Sequence, residues 1–272
     1  MKKSLAILGK SLCSWGEIKN MSLGDWEKIT ANTTVVLMAG GESSRFREFL
    51  GSENIHKNAF ELPNGDTMMQ MTIRMYRQAG FQKFLALVAH SAQSIIDLLG
   101  DSVEYCFDPE KPSGKGGAIR HAFETGKLSN EDYFIVHNPD DIILGEPDFP
   151  RKIMESHVGH GGSATIVVCE GTPYTYTGMQ IDEGKVTEVE MYPFIPIPTH
   201  IGVTVFSPRL KGLFEKTFEY GKKADFEKIL LPKLSDEGKL YAVGVPFESW
   251  VPVNNLKNYK LLLERLGLTD RN

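Results

Sequence analysis

The arrangement of apolar residues from Thr33 onward constrains this chain most. Short runs of strand length alternate with stretches of helical period, at residues 34–38, 68–79, 84–89, 95–99 and 103–107. Strands separated in this way cannot be joined by tight hairpins. They need crossover connections, so the pattern predicts βαβ units and a mostly parallel sheet. A helix at about 115–125 leads into a strand at Tyr133–His137, which stops at Asn138-Pro139-Asp140-Asp141 and leaves two acids at its carboxyl end. Beyond Gly162 the pattern changes. Residues 164–169, 178–182, 185–191 and 201–206 read as strands joined by turns, so the sheet should be mixed. Helices follow at about 225–234 and 256–266, with a strand near 240–245. No low-complexity linker divides the chain. The expected organisation is a lead-in segment, 1–32, and one α/β domain over 33–272, whose halves at about 33–145 and about 146–272 share one central sheet. Within the lead-in, Ser22-x-x-Asp25-Trp26 has the form of a helix start.

Composition narrows the function. A net charge of −5 leaves no basic excess for a polyanion, so nucleic acid is not an expected partner. The apolar runs are far shorter than the roughly 20 residues of a membrane span, and 5–8 is too short for a signal-peptide core, so the expectation is a cytoplasmic protein without a membrane partner. Cys13, Cys106 and Cys169 are too scattered for a disulfide framework or a cysteine zinc site.

Charged groups in glycine-rich loops carry the chemistry that remains. Ala39-Gly40-Gly41-Glu42-Ser43-Ser44-Arg45-Phe46 follows the first strand directly. Paired glycines admit phosphate oxygens to backbone N–H groups, and a nearby arginine can clamp them. The segment has neither Walker A nor G-x-G-x-x-G spacing, which disfavours ATPase and dehydrogenase readings. Lys111-Pro112-Ser113-Gly114-Lys115-Gly116-Gly117-Ala118 is a second glycine-rich loop ahead of a helix. Asp140, with Asp141 second, places a hard carboxylate at a strand end, as a Mg²⁺ ion bridging phosphates requires.

In this order the motifs resemble the sugar-1-phosphate nucleotidyltransferases, whose signature is a strand followed by A-G-G-x-G-(T/S)-R-(L/F/M); Ser43 replaces the third glycine. The resemblance implies a Rossmann-like nucleotide-diphospho-sugar transferase fold, a mixed central sheet with helices on both faces. It also implies an Mg²⁺-dependent enzyme that joins a nucleoside triphosphate to a sugar 1-phosphate and releases pyrophosphate. On it, Ala39, Gly40, Gly41 and Ser43 contact the nucleotide, Arg45 and Lys57 hold phosphates, and Lys111, Ser113, Gly114 and Gly116 border the base. Thr199-His200-Ile201-Gly202 resembles the sugar-side strand, with His200 in place of asparagine, and Gly178 and Glu190 fall in the sugar-phosphate region. Met191-Tyr192-Pro193 stands where the family has E-K-P. Asp225-Phe226-Glu227-Lys228-Ile229-Leu230-Leu231-Pro232 and Trp250-Val251-Pro252-Val253-Asn254-Asn255 resemble the closing motifs. Pro252 replaces a metal-binding aspartate, but Val253-Asn254-Asn255 matches the N-acetylglucosamine-1-phosphate uridylyltransferase branch, so Asn254 becomes the second metal ligand with Asn255 in reserve. Gly41–Arg45 also resembles the molybdenum-cofactor guanylyltransferase form. Transfer to a phosphorylated non-sugar alcohol or cofactor is therefore one alternative, and a catalytically silent binding homologue of the same fold is another. Homo-oligomerisation stays open.

Overall fold

The computed structural model describes residues 21–42, 46, 55–111 and 113–269. The first strand, β1 (Thr33–Ala39), is the centre of the architecture. It pairs in parallel with β2 (Lys83–Val88) on one side, which pairs in parallel with β3 (Glu104–Phe107). On its other side it pairs in parallel with β4 (Tyr133–His137). After β4 come the short β5 (Asp141–Ile143), then β6 (Ala164–Cys169), β7 (Thr172–Pro173), β8 (Thr177–Asp182), β9 (Lys185–Met191), β10 (Phe194–Ile195) and β11 (Thr199–Phe206). The chain closes with β12 (Leu240–Val245) and β13 (Trp250–Pro252). The central sheet runs β12-β6-β11-β4-β1-β2-β3. Strand β11 is antiparallel to both its neighbours, β4 and β6, and supplies the mixed character that the sequence predicts.

Because the sheet is covered on both faces, its strands are apolar throughout rather than alternating with polar residues. Val35, Leu37 and Ala39 of β1 point into one core with Ile73, Tyr76, Ile95, Phe149 and Ile153. Those partners come from helices α2 (Met68–Gln78), α3 (Ala92–Leu99) and α5 (Phe149–His160), numbered after α1 (Leu23–Ala31), with α4 (Gly114–Glu124) between α3 and α5. Val36 points the other way, into a core with Ile119, Phe123, Phe134, Phe206, Phe214 and Leu230. There the covering helices are α4, α6 (Lys211–Thr217) and α7 (Phe226–Asp236). Phe134 and Phe206 stack across β4 and β11 with ring centroids 4.8 Å apart. A third cluster, with Leu62, Ile142, Val251, Val253 and Leu262, seats β5, β13 and α8 (Leu256–Arg265) against the body.

Helix α1 begins where the sequence places it. Ser22 Oγ caps the Asp25 N–H at 3.2 Å, Trp26 packs edge-on against Phe81, and Trp26 Nε1–H donates to the Ala79 carbonyl at 3.0 Å. Two helices escape the sequence reading, α5 and α6. Helix α5 buries Glu155, Ser156 and His157 along with its apolar residues, which obscures its period.

Candidate active-site cleft

Sheet topology fixes where a ligand can bind. The chain leaves β1 for β2 and β3 on one side and returns to β4 on the other, so the strand order reverses between β1 and β4. Open α/β sheets bind ligands in the crevice beyond the carboxyl ends of strands at such a reversal. The segment Gly40-Gly41 follows β1, and the turn Asn138–Asp141 follows β4; since the two strands are parallel neighbours, both loops leave the same edge. A cleft of about 940 Å³ opens there. Gly40, Gly41, Lys57, Gly114, Asp140 and Asn254 all line it, although they are spread over more than 200 residues of sequence.

The acidic turn is built in layers. Pro139 presets the backbone for a β-turn closed by the Asp141 N–H to the Asn138 carbonyl at 2.8 Å. Buried His137 anchors it from below. Its Nε2–H donates to the Asp141 carbonyl at 3.0 Å, and its Nδ1 accepts from the Tyr76 hydroxyl, also at 3.0 Å. Beyond the turn, β5 pairs antiparallel with β13, setting Asp141 opposite Pro252. The Val253 N–H then donates to the Asp140 carbonyl at 2.7 Å, which carries Asn254 to the rim beside Asp140. Pro252 therefore serves as the strand residue that aligns the two segments.

Register separates the two aspartates. Asp141 is buried, and both its oxygens are used: Oδ2 accepts from Asn138 Nδ2 at 3.1 Å, and Oδ1 from Trp250 Nε1 at 2.9 Å. Burial, reinforced by the neighbouring Asp140 charge, pushes the Asp141 carboxyl well above the usual carboxylate range. Asp140 instead forms an ion pair with Lys57 at the cleft. Lys57 Nζ also reaches the Val253 carbonyl at 3.5 Å, so one cation bridges the acidic turn and the segment that follows β13. Gly202 is required underneath: its φ is +76°, and a Cβ there would collide with the Asp141 carboxylate and the Asn138 amide.

Asp140 and Asn254 offer hard oxygen donors of the kind Mg²⁺ prefers, and that ion commonly takes only one or two protein ligands, completing its shell with water and substrate phosphates. Among the described residues no three His, Cys, Asp or Glu side chains form a self-contained metal centre, so a cation here would depend on ligand oxygens. The donor set fits Mg²⁺ on those terms. Asn255, by contrast, caps α8, its Oδ1 accepting from the Asn258 N–H at 3.0 Å.

The second glycine-rich loop is shaped by packing as well as by the cleft. Gly114 has φ +69° and lies against the backbone of Ala224, while a Cβ on Gly116 would strike the Phe218 ring. Ser113 is buried, donating to the Lys111 carbonyl at 2.7 Å and accepting from the Gly221 N–H at 3.1 Å. These contacts aim the N-terminus of α4, with Gly114 and Lys115, into the cleft. Lys111 is exposed beside Gly221, and Ala39 is buried at the end of β1.

Of the remaining sequence-derived candidates, Ser43 and Arg45 lie outside the described residues. Gly178 and Glu190 sit on the β8–β9 hairpin and do not line the cleft. His200 is half-buried at an irregularity in the β11–β6 pairing, its Nε2 within 3.1 Å of both the Val203 carbonyl and Thr204 Oγ1. The cleft adds residues that the sequence reading does not single out. His56 is buried and pushed down to about 4 by burial and by Lys57, so it is neutral near pH 7. Both amide atoms of Asn58 are buried with no hydrogen-bond partner among the described residues. Asp108 follows β3, and burial raises its carboxyl above the usual range. The signal that could have found them is position: His56 and Asn58 flank Lys57, and Asp108 follows a strand.

Comparison with known proteins identifies the family and the fold. Residues 35–220 match the family described as the MobA-like NTP transferase domain. The chain is 25% identical over 243 residues to the bifunctional protein GlmU of Streptococcus agalactiae, covering 87% of this chain and 49% of that one. It is 24% identical over 252 residues to a mannose-1-phosphate guanyltransferase of Pichia angusta, covering 87% and 65% respectively. It thus spans about half to two thirds of the length of these curated relatives. Among solved structures, a glucose-1-phosphate thymidylyltransferase-like chain of Bacillus anthracis superposes with a TM-score of 0.63 at 14% identity, over 88% of this chain and 96% of that one. HddC of Yersinia pseudotuberculosis gives 0.60 at 22% identity, over 86% and 99%. At such identities these two establish the shared fold. No described helix is long and apolar enough to cross a membrane.

Proposed function

The chain belongs to the MobA-like NTP transferase domain family, and on that premise we propose that it is a nucleotidyltransferase that condenses a nucleoside triphosphate with a sugar 1-phosphate, releasing pyrophosphate. One observation carries this reading: the glycine turn, Lys57, Asp140 and Asn254 converge on one cleft at the strand-order reversal.

In the proposed reaction an acceptor phosphate oxygen attacks the α-phosphorus in line. A new P–O bond forms, the bond from the α-phosphorus to the β-phosphate bridging oxygen breaks, and pyrophosphate leaves with the electron pair. The acceptor phosphate is already ionised near neutral pH, so no general base is needed, and the protein's task is positioning and charge compensation. The Gly40-Gly41 backbone and the N-terminus of α4 face the polyphosphate with N–H groups. Lys57 offsets charge that develops on the phosphates, with Arg45 assigned the same role from its motif. Asp140 and Asn254 would hold Mg²⁺, which when bound neutralises phosphate charge. Asp141 and Gly202 keep the turn in place, and the division into nucleotide and acceptor halves is our reading of the shared sheet.

A second reading is transfer to a phosphorylated non-sugar acceptor. Gly178 and Glu190 favour it, because the hairpin that carries them stands outside the cleft. Incubating the protein with each common triphosphate and Mg²⁺, against a panel of sugar 1-phosphates and phosphorylated alcohols, with mass-spectrometric detection of the product, separates the two. A nucleotide-diphosphate sugar supports the first reading, a product from an alcohol phosphate alone the second, and no product from any pair contradicts both.

A further inference from the structure

The segment between β6 and β11 forms an antiparallel arm. Its stem pairs Thr172 with Ile195 and Pro173 with Phe194, and the Tyr174 N–H donates to the Pro193 carbonyl at 2.8 Å. Further out, β8 and β9 pair from Thr177–Met191 to Asp182–Lys185, with Thr187 bulged between the Glu188 and Val186 pairs. Residues directly opposite in an antiparallel pair project from the same face. One face therefore carries Met179, Ile181, Val186, Val189 and Met191, and the other Gln180, Glu188 and Glu190.

This ribbon is amphipathic, yet among the described residues nothing packs on its apolar face. Met179 is 59% exposed, Ile181 66%, Val186 47%, Val189 61% and Met191 64%. A lone two-stranded ribbon is marginal in water unless its apolar face is packed, so this face calls for a partner. At roughly 100 Å² of exposed surface each, the five side chains present on the order of 500 Å², at the upper end of the apolar patch on a typical monomer. A standard-size interface buries roughly 800 Å² per partner, and at the roughly 65% apolar share of homodimer interfaces this is on the order of 500 Å² of apolar surface, the small end for a homodimer. The area offered matches what one further copy would need.

We propose that the β8–β9 arm is a homodimerisation element, its apolar face packing on the same face of a second copy about a two-fold axis. An isologous contact needs one self-complementary patch, and a face with no charge among its five central side chains can meet itself without burying an unpaired ion. The surrounding charge disfavours an anionic occupant. Asp182 and Glu183 at the tip, with Lys185 opposite Asp182, and Glu188 and Glu190 behind the face leave a net negative rim that repels an anionic membrane surface or a nucleic acid. Sequence spacing makes the arm legible as two strands, but only the structure shows that no described residue covers its apolar face.

Sedimentation equilibrium of the full chain at micromolar concentration tests the proposal. The wild-type protein should have the mass of two 30.4 kDa chains. The paired face variant Met179→Glu/Val189→Glu should sediment as a monomer with the wild-type circular dichroism, while Gln180→Lys on the opposite face stays dimeric. A monomeric wild type, or a face variant that remains dimeric, overturns the proposal. Should the double variant not fold, Ile181→Cys in a Cys13→Ser background replaces it. A short bismaleimide must then join two copies through residue 181, and a lack of that cross-link in the folded protein is equally decisive against the arm.

Discussion

Adjacent residues with the same side chain perform opposite tasks in the acidic turn. Asp140 and Asp141 cannot be told apart by composition, because both follow the same strand and both suit a cap or a ligand. The register of β5 against β13 decides it, by turning Asp141 inward to Asn138 and Trp250 and leaving Asp140 with Lys57 at the cleft. Gly202 shows a similar limit: its motif marks it as sugar-side, whereas the structure gives it the work of making room for Asp141. Substituting Gly202→Ala should cost about 1–2 kcal/mol from the left-handed backbone alone, and more from displacing Asp141. A lowered thermal midpoint together with reduced turnover is the expected result, and an unchanged midpoint would contradict the packing described. Lys57→Ala should raise the KM for the triphosphate and lower kcat by about 10²-fold or more, since it removes a cation aimed at developing charge. Unaltered kinetics would return Lys57 to the role of a structural partner of Asp140.

Elements were legible where burial was simple. β4, β6 and β12 coincide with runs visible in the sequence, because strands of a covered sheet read as apolar stretches, whereas β9 was legible from the alternation of apolar and polar residues in an exposed ribbon. Helix α5 was not legible, since its buried side includes Glu155, paired with Arg151, and His157, bonded to Thr165 and Ser207. His157 lies between α5 and the sheet, and burial pushes it down to about 4; His137 beneath the acidic turn is likewise at about 4. Both are depressed below the unfolded value near 6.5, so the unfolded chain binds protons that the folded chain refuses. Their neutral forms thus favour the fold above pH 6.5, and that contribution is lost as pH falls from about 6.5 toward 4. Asp141, whose raised carboxyl takes up a proton in the folded chain, acts in the opposite direction over the same interval, so the histidine contribution is read by difference. The fall in urea midpoint from pH 7 to pH 5 should be smaller for His157→Gln than for the wild-type protein, and an identical pH slope in the two would contradict this account. Gly116 belongs at this scale too: it permits α4 to approach Phe218, and Gly116→Val should destabilise the fold through that clash whatever ligand is present.

At the scale of the whole molecule, the sheet does what no single motif can. It gathers a glycine turn, a lysine, an aspartate and an asparagine, each ambiguous alone, at the edge where β1 and β4 part. The order of motifs along the chain made that convergence expected, while the acceptor side was less legible because both of its motifs depart from the family pattern, with His200 in place of asparagine and Met191-Tyr192-Pro193 in place of E-K-P. Nucleotidyl transfer in this cleft is most directly tested by pyrophosphate release from triphosphate, Mg²⁺ and the acceptor panel, measured side by side for the wild-type protein and Asp140→Ala. Release by the wild type, falling by about 10²-fold or more in a variant of unchanged thermal midpoint, is the predicted result. Equal release from both proteins, or none from the wild type with any substrate pair, would contradict it.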